Sequence, residues 1–510
     1  MGKYLLAHDL GTSGNKTTLF SIEGQLIASC TYNYDVYYSN NNWAEQNPND
    51  WWQAVISTTK TLIKNINPKD ILAVSFSGQM MGCVCVDKKQ KPLRNAIIWA
   101  DMRATKQTQQ IAKQISAQRF YEITGHRLSP SYGGQKLMWI KDNEPHIYAK
   151  TYKMLNAKDF IILKLTNQYS DASSTCLMDL NKLCWSDELL NIMGIDKQKM
   201  PKLLKSTDIA GYITNTASEL TGLCPNTPVV CGGGDGVCAA VGTGCIKEGI
   251  AHSSIGTSSW ISITTKKPIF SKNKSTFNWA HIVPGYILPT GTMQSGGGAY
   301  SWYINKFCQY EQNLAQKGHK SIYDILEQEL ANTSVGSNGL LFLPYLIGER
   351  SPWWNTNAKA NFIGLKMEHQ RKDLLRAIQE GVAMNLNIIL NIFKAENIHI
   401  SELVAVGGGA KSKSWQKIFA DVYNTKIILP KLLDEAASMG AAITAGVGIG
   451  IFKDFEVASK FISLDKIIEP TPTNVKKYQK LQPIFEKAYL QLQSLFEQLN
   501  DFSEKRVLDE

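Results

Sequence analysis

The first 80 residues alternate between short apolar runs and polar turns. Apolar positions recur within residues 4–7, 16–20 and 25–29, and glycine and polar residues separate these runs. This pattern predicts three antiparallel strands joined by tight turns. Residues 50–66 carry apolar side chains at helical spacing, and another apolar run follows at residues 71–76. The predicted order is therefore three strands, a helix and a fourth strand.

The beginning of the second half of the chain repeats the beginning of the first. AHDLGTS at residues 7–13 is echoed by AHSSIGTS at residues 251–258, about half the chain further on. Each copy is associated with a predicted strand and precedes an alternating segment. This echo predicts two similar domains, which we place at residues 1–248 and 249–510.

Both Gly-Thr-Ser turns are candidates for binding phosphate. A turn at residues 11–13 or 256–258 presents backbone N–H groups and two hydroxyls in one direction, which suits phosphate oxygens. Asp9 precedes the first turn and suits a hydrated Mg²⁺. A third glycine loop, at residues 407–410, opens a predicted helix and could lie against a nucleotide. A plain hairpin turn is the alternative for each turn taken alone, and neither a P-loop nor a dinucleotide fingerprint is present.

The segment VVCGGGDGVCAAVG at residues 229–242 sets a single carboxylate, Asp235, among four glycines. So many glycines cost conformational entropy on folding, and a simple turn needs only one or two. Two interpretations remain open from the residues alone. Asp235 is either the N-cap of a helix that follows a strand, or a carboxylate placed where a ligand approaches the backbone closely.

Composition excludes several classes of protein. The chain has 510 residues, of which 44% are hydrophobic and 19% charged, and its formal net charge of +10 is not concentrated in basic blocks. Such a chain is not expected to bind nucleic acid. Its ten cysteines form no CxxC pair, which favours reduced thiols over disulfides or a zinc site. The N-terminal apolar run is too short for a signal peptide, and residues 441–452 cannot span a bilayer. We therefore expect a cytoplasmic enzyme without a membrane partner.

Several of these motifs together resemble the FGGY family of carbohydrate kinases. They are DLGTSGNKTTL (9–19), WAEQNP (43–48), GGGDG (232–236), SIGTSS (254–259), FLPYLIGERSP (342–352) and GGGA (407–410). The resemblance extends over roughly residues 3–485. It implies an α/β fold of two ribonuclease H-like domains, of the actin and hexokinase ATPase type, flanking a catalytic cleft. The first domain is then the sugar side and the second the nucleotide side.

The resemblance also implies a role for each residue of the motifs, with ATP and Mg²⁺ as cofactors. Asp235 matches the general base that takes a proton from the sugar hydroxyl, which is the assistance that phosphoryl transfer needs. Asp9 matches the Mg²⁺ carboxylate. Gln79, Met80 and Met81 match the sugar contacts, with Asp235. The residues matching nucleotide contacts are Thr12, Ser13, Lys16, Gly256, Thr257, Gly297, Gly408, Gly409 and Lys413.

The substrate implied by the resemblance is a ketose, D-xylulose above all, because the WAEQNP run and residues 77–80 are most similar to kinases of that sugar. One residue departs from their pattern: Met81 stands in QMMG where those kinases have QMHG, and a thioether is at best a weak hydrogen-bond acceptor. The alternatives are a kinase of another pentulose, hexulose or polyol, and an inactive sugar or ATP sensor. A chaperone-like ATPase is disfavoured because no separate substrate-binding domain follows.

Four other features leave choices open. Trp99 is interpreted as a core residue, with a place in the sugar pocket as the alternative. His8 and His252 flank strands and are interpreted as buried structural residues. The aromatic residues between positions 34 and 52 are assigned to packing or to the surface of a homodimer.

Overall fold

The first half of the chain is built on a six-stranded mixed sheet. The computed structural model describes residues 2–40, 42–171 and 175–508. Across the sheet the strands lie in the order Ile209–Tyr212, Pro228–Val230, Ile71–Gly78, Tyr4–Leu10, Gly14–Ser21 and Leu26–Asn33. The last three pair antiparallel through tight turns, as the alternation predicts, and Ile71–Gly78 runs parallel to Tyr4–Leu10.

Helices and short strands complete the first half. The predicted helix is Pro48–Ile63, which begins at the capping side chain of Asn47 and buries Trp51, Val55 and Leu62. The other helices are Thr105–Ala112, Ala117–Thr124, Gly133–Asn143, Pro145–Lys150, Ala157–Thr166, Asp187–Met193, Asn215–Thr221 and Asp235–Gly242, with 3₁₀ turns at Pro68–Asp70 and Lys197–Lys199. The short strands are Tyr37–Ser39, Trp43–Gln46, Val84–Val86, Ala96–Ile97, Lys153–Leu155, Ser170–Asp171, Met178–Asp179, Cys184–Trp185 and Lys202–Leu203.

The second half repeats the strand pattern of the first. Its seven-stranded sheet has the order Phe277–Ala280, Ile287–Met293, Ser259–Ile263, Ala251–Ile255, Glu402–Val406, Lys426–Pro430 and Leu464–Ile468. Ala251–Ile255 forms an antiparallel hairpin with its successor and pairs in parallel with Glu402–Val406. In the first half, Tyr4–Leu10 likewise pairs antiparallel with the next strand and parallel with a later one. The repeated sequence therefore begins the same strand motif in both halves.

The helices of the second half surround its sheet. They are Gly297–Phe307, Gln309–Gly318, Ile322–Leu330, Arg371–Ala395, Lys413–Tyr423, Ala436–Gly448, Ala458–Phe461 and Pro472–Leu508, with 3₁₀ turns at Ser337–Gly339, Gly408–Lys411 and Phe455–Val457 and a strand pair at Leu341–Leu343 and Asn361–Ile363. None of the helices in the described ranges is long and apolar enough to cross a membrane. All ten cysteines are free thiols, as expected.

One helix of the second half packs on the first half. Ala436–Gly448 lies against strands Tyr4–Leu10 and Ile71–Gly78 and against helix Asp235–Gly242. Where the two helices cross, a Cβ atom on Gly440 would overlap the carbonyl oxygen of Cys238. The backbones therefore touch directly, and the two halves share a continuous core there. The boundary at 248/249 stays a prediction.

The aromatic residues between positions 34 and 52 divide between core and surface. Trp51 is buried, whereas Tyr37 and Tyr38 are exposed on the short strand Tyr37–Ser39. Packing thus accounts for part of the group, and the homodimer stays a prediction.

Candidate active site

Two pockets take their lining from both halves of the chain, and a third, next to them, is lined by the second half alone. The inner pocket, about 240 Å³, is lined by Thr12, Gln79, Met80, Met81, Trp99, Asp235, Gly236, Ser258, Trp260, Phe277, Trp279, Thr290, Thr292 and Arg350. The middle pocket, about 440 Å³, is lined by Asp9, Lys16, Asp235, Ala239, Ser254, Trp260, Val406, Gly407, Leu433, Asp434, Ala436 and Ala437. The outer pocket, about 630 Å³, is lined by Ile255, Gly256, Thr257, Gly297, Tyr300, Ser301, Ser321, Tyr323, Asp324, Glu327, Gly408, Gly409, Lys411, Ser412 and Trp415. Asp235 and Trp260 form the wall between the inner and middle pockets.

The glycines around Asp235 allow close packing of the backbone. Gly232 has a φ of +68° and a Cβ atom there would overlap the carbonyl oxygen of Phe76. A Cβ atom on Gly234 would overlap the thioether of Met80. Gly234 is the N-cap of the following helix and Asp235 is its first residue, so the N-cap interpretation of Asp235 is wrong. The carboxylate accepts a hydrogen bond from its neighbour, the N–H of Gly236 (2.8 Å).

The environment of Asp235 suits proton transfer. Burial above all, and then the negative charge of Asp9, raise the pKa of Asp235 to about 7. Burial also raises the pKa of Asp9, against the opposing effects of the Ser77 hydroxyl and of Lys16. A carboxyl group with a pKa near 7 can accept a proton at neutral pH and still release it, which is what a general base requires.

The middle pocket has the donor set that a magnesium ion accepts. Asp9 ends the first strand, and one of its oxygens accepts a hydrogen bond from Ser77 (2.7 Å). Within the described ranges, no group of three or more acidic, histidine or cysteine side chains is arranged so that it could hold a metal ion by itself. Mg²⁺ needs no such cluster, because it takes one or two carboxylates and fills its other positions with phosphate oxygens and water. The residues present therefore fit the ion.

Two of the predicted loops interlock at the outer pocket. The N–H of Gly297 donates to the carbonyl of Gly256 (2.7 Å), and the N–H of Gly298 donates to the carbonyl of Thr257 (3.0 Å). Gly408 and Gly409 line the same pocket. Five of the predicted nucleotide contacts, namely Gly256, Thr257, Gly297, Gly408 and Gly409, thus come together.

The remaining predicted nucleotide contacts lie elsewhere. Thr12 lines the inner pocket, because the indole N–H of Trp99 donates to its hydroxyl (2.8 Å) and holds it on that side. Ser13 is exposed and lines none of the three pockets. Lys16 lines the middle pocket and donates to the carbonyl of Asp434 (2.9 Å). Lys413 is exposed outside the lining of the outer pocket.

Sequence reasoning missed several residues of the outer pocket. The 3₁₀ turn Gly408–Lys411 places Lys411, not Lys413, at the pocket wall, where it pairs with Asp434 (2.7 Å). Glu327 accepts hydrogen bonds from Ser412 and from the N–H of Ser414. Lys411 directly follows the glycine loop, so a search for the nearest cation would have found it. Glu327 stands in an ordinary amphipathic helix, which carries no signal.

The inner pocket combines predicted and unpredicted residues. Gln79, Met80 and Met81 line it as the resemblance implies, and Trp99 does so as well, against the core interpretation. The second half contributes aromatic residues and Arg350, which sequence reasoning missed. The guanidinium of Arg350 lies 5.4 Å from the centre of the Trp99 ring. Among the described residues, no carboxylate lies within ion-pair distance of it.

The two histidines of the echoed motif are structural, as interpreted. Both are fully buried, and burial lowers the pKa of each to about 3. His8 bonds Thr17 (2.9 Å) and Asn15 (3.3 Å) inside the first sheet.

Comparison with known proteins places both halves in one family. The chain matches the FGGY family of carbohydrate kinases, with the N-terminal domain over residues 4–242 and the C-terminal domain over residues 251–449. It is 33% identical to a xylulose kinase of Bacillus subtilis over 98% of this chain and 99% of that protein. It is 31% identical to a gluconokinase of the same organism over 98% of each. A ligand-bound xylulose kinase from Lactobacillus acidophilus has a matching crystal structure, with a TM-score of 0.90 and 27% identity over 98% of this chain and 100% of that one.

The chain therefore belongs to the FGGY family of carbohydrate kinases. It is a sugar kinase with the two-domain fold of actin and hexokinase, and the prediction of family, fold class and enzyme class is confirmed. Membership of this kinase family implies that ATP is the phosphoryl donor. The relatives act on different substrates according to their names, so the choice of sugar requires a separate argument.

Proposed function

We propose that the protein transfers the γ-phosphoryl group of ATP to D-xylulose, giving D-xylulose 5-phosphate, with Asp235 as the general base. The observation that carries this proposal is the position of Asp235 in the wall shared by the inner and middle pockets. A carboxylate at that wall can reach a hydroxyl on one side and face the transferred group on the other. The similarity to xylulose kinases along the whole chain supports the choice of sugar.

In this mechanism the sugar occupies the inner pocket. Its carbon skeleton packs against the aromatic rings of Trp99, Trp260 and Trp279. The side chain of Gln79 donates to Gln46 (2.7 Å), while its own carbonyl oxygen has no partner among the described residues. Asp235 takes the proton of the terminal hydroxyl as that oxygen attacks phosphorus, so no unshielded alkoxide has to form.

The nucleotide occupies the outer pocket and its phosphates extend into the middle pocket. The glycines at positions 256, 297 and 408 leave room for the ligand against the backbone, and Lys16 supplies positive charge at the phosphates. Asp9 would hold Mg²⁺, which neutralises charge on the phosphate oxygens when it is bound. Trp260 lies with Asp235 between the two substrates, and the reacting oxygen and phosphorus meet beside Asp235.

Two finer assignments belong to the same proposal. The first is that residues 1–248 and 249–510 act as the two domains that flank the cleft, although the inner pocket takes side chains from both. The second is that the reaction takes place in the cytoplasm, where ATP is available and where the ten free thiols stay reduced.

One observation favours a second candidate substrate, a six-carbon sugar acid such as D-gluconate. Arg350 brings a guanidinium to the inner pocket, burial lowers its pKa, and no carboxylate among the described residues pairs with it. A guanidinium binds a carboxylate in bidentate geometry, which would fix the acid end of such a substrate. The gluconokinase of Bacillus subtilis is almost as similar to this chain as the xylulose kinase is.

A coupled assay of ADP release across a sugar panel tests the proposal. The panel contains D-xylulose, D-ribulose, L-xylulose, D-gluconate and glycerol, with ATP and Mg²⁺ saturating. We expect the highest kcat/KM with D-xylulose. The second candidate predicts D-gluconate instead, with a loss of at least tenfold in Arg350→Met that leaves D-xylulose less affected. Absence of ADP release above the sugar-free rate with all five would contradict both candidates.

A further inference from the structure

Lys136 is a fully buried cation close to the inner pocket but outside its lining. It lies in the helix Gly133–Asn143 and has no measurable exposure. Its ammonium group donates to the carbonyls of Met81 (2.9 Å) and Ile98 (2.7 Å) and, by a short hydrogen bond, to that of Ser131. Its three N–H donors are thereby matched to three backbone acceptors from three separate segments.

Two of these segments form walls of the inner pocket. Met81 lines the pocket and holds a φ of +64°, a backbone conformation that methionine rarely adopts. Ile98 precedes Trp99, which lines the pocket and bonds Thr12. The ammonium therefore joins the loop that carries Met81 to the strand end that carries Trp99.

The third segment supports the wall that comes from the second half of the chain. Ser131 precedes Tyr132, whose hydroxyl bonds the ring of His126 (3.0 Å). The His126 ring in turn stacks on Phe277 and makes an edge contact with Trp279, and both of these line the pocket. Lys136 thus bonds three segments, and each of them forms or supports one wall of the inner pocket.

The ammonium is held by carbonyl dipoles and not by a counter-charge. No carboxylate among the described residues lies within ion-pair distance of Lys136. The titratable groups that face it are Asp101 and Cys83, which favour its charged form, and Arg103 and Arg350, which oppose it. Burial lowers the pKa of Lys136 to about 7. A core that needed only volume would be better filled by an apolar side chain, because a buried cation is costly.

We infer that Lys136 is a positioning residue that fixes the three walls of the inner pocket relative to one another and thereby sets the affinity for the sugar. It does so without touching the sugar. This inference rests on the proposal that the inner pocket is the sugar site. The outer pocket is built from residues 255–415, none of which bonds the Lys136 side chain, so nucleotide binding does not depend on it.

Steady-state kinetics of Lys136→Met test the inference, with the best sugar of the panel as substrate. Methionine keeps much of the length and volume but removes the Lys136 hydrogen bond from all three carbonyls, of which that of Ile98 keeps the N–H of Asp101 (3.1 Å), and each such loss is costly. We expect KM for the sugar to rise at least tenfold while KM for ATP stays within twofold. Lys136→Gln keeps two N–H donors, so its KM for the sugar should lie between those of the wild type and of Lys136→Met. Lys141→Met, at a half-buried lysine of the same helix whose ammonium group donates to the carbonyl of Gly194, is the matched control and should match the wild type.

Three results would overturn the inference. The first is a sugar KM within threefold of wild type in Lys136→Met, and the second is an equal rise in the KM for sugar and for ATP. The third is failure of both Lys136 variants to fold, judged by circular dichroism, because the cation would then support the fold and not the pocket. A wild type without sugar-dependent ADP release would reject the proposed function instead, so the two failures are distinguishable.

Discussion

Asp235 shows how a single residue acquires its chemistry from its surroundings. The glycines before it let the backbone approach Phe76 and Met80, which buries the carboxyl group at the pocket wall. Burial and the nearby Asp9 then raise its pKa to about 7. An exposed aspartate would have a pKa near 4 and would be a much weaker base at neutral pH. The sequence supplies the residue, and the folded cleft supplies its basicity.

The pH dependence of kcat follows from this pKa. The ionised form of Asp235 accepts the proton, and this form is lost as the pH falls through the pKa. We expect kcat with saturating substrates to decline as the pH falls below about 7, with one proton involved. Mg²⁺ beside Asp9 favours the ionised form, so raising the Mg²⁺ concentration should move the decline to lower pH. A kcat that is flat from pH 5 to 8, in a protein that stays folded over that range, would contradict this role.

Met81 offers a direct test of which sugar the inner pocket prefers. It lines the inner pocket at a positive φ, which histidine tolerates at least as well as methionine does. In Met81→His the imidazole can donate a hydrogen bond to a ketose, worth about 0.5–1.5 kcal/mol. We expect kcat/KM for D-xylulose to rise by roughly 2- to 13-fold on that basis.

The exposed Met367 offers the control for that variant, because Met367→His should change nothing. An equal loss of activity on D-xylulose and on the other sugars in Met81→His would show that Met81 serves packing alone.

At the scale of elements, the alternation of apolar and polar residues was sufficient to predict the strands but not to predict which residues line the pockets. The hairpins at the start of each half follow from period-two alternation and short turns, which are local properties. The inner pocket needs Trp279 and Arg350 opposite Gln79 and Trp99, and such pairings across the cleft leave no local signal. The same holds for Lys136, whose three acceptors come from three different elements. Motif similarity singled out residues that the structure brings to the pockets, Asp235 and the glycine loops among them, whereas Thr12 lines the inner pocket and Lys413 lies outside the lining of the outer one, because neighbouring positions in a turn can face different sides.

The two halves of the chain contact each other where two helices cross, and one of these helices begins with Asp235. Helix Ala436–Gly448 touches helix Asp235–Gly242 at Gly440, where a methyl group would overlap the carbonyl of Cys238. In Gly440→Ala the two backbones must separate. Overpacking of this kind lowers the free energy of unfolding by about 1–3 kcal/mol. We expect a lower melting temperature and a lower kcat, because Asp235 begins the displaced helix. Calorimetry and the ADP assay measure both.

Gly318→Ala is the control for that variant. Gly318 ends an exposed helix, and a Cβ atom there would meet only the Lys320 side chain at 3.9 Å. It should leave stability and turnover unchanged. A Gly440→Ala protein as stable as Gly318→Ala would show that the helix crossing tolerates separation.

At the scale of the whole molecule, the inner and middle pockets take residues from both halves of the chain, and in the proposed function the two substrates meet there. Water must be kept from the phosphoryl group at that point, and closure of a cleft around its ligands is the common solution. The chain passes between the halves at residues 243–250, where Gly244 and Gly249 have φ values of +78° and +83°. Such positions favour glycine and can absorb a change in backbone direction.

Small-angle X-ray scattering tests this closure. We expect the radius of gyration to fall when a non-hydrolysable ATP analogue and the sugar are both present, relative to the free protein and to either ligand alone. The free protein with Mg²⁺ only is the control. A radius of gyration that stays constant across all four samples would rule out a large closure.

The central claim is that Asp235 performs the proton transfer between the two bound substrates, and turnover of Asp235→Asn tests it most directly. Asparagine keeps the shape and cannot accept the proton. We predict that kcat falls by about 10²–10⁴-fold, while calorimetry shows binding of the sugar and of the ATP analogue within a few-fold of wild type. Turnover within threefold of the wild type would contradict the account, because the carboxylate could then not be the base.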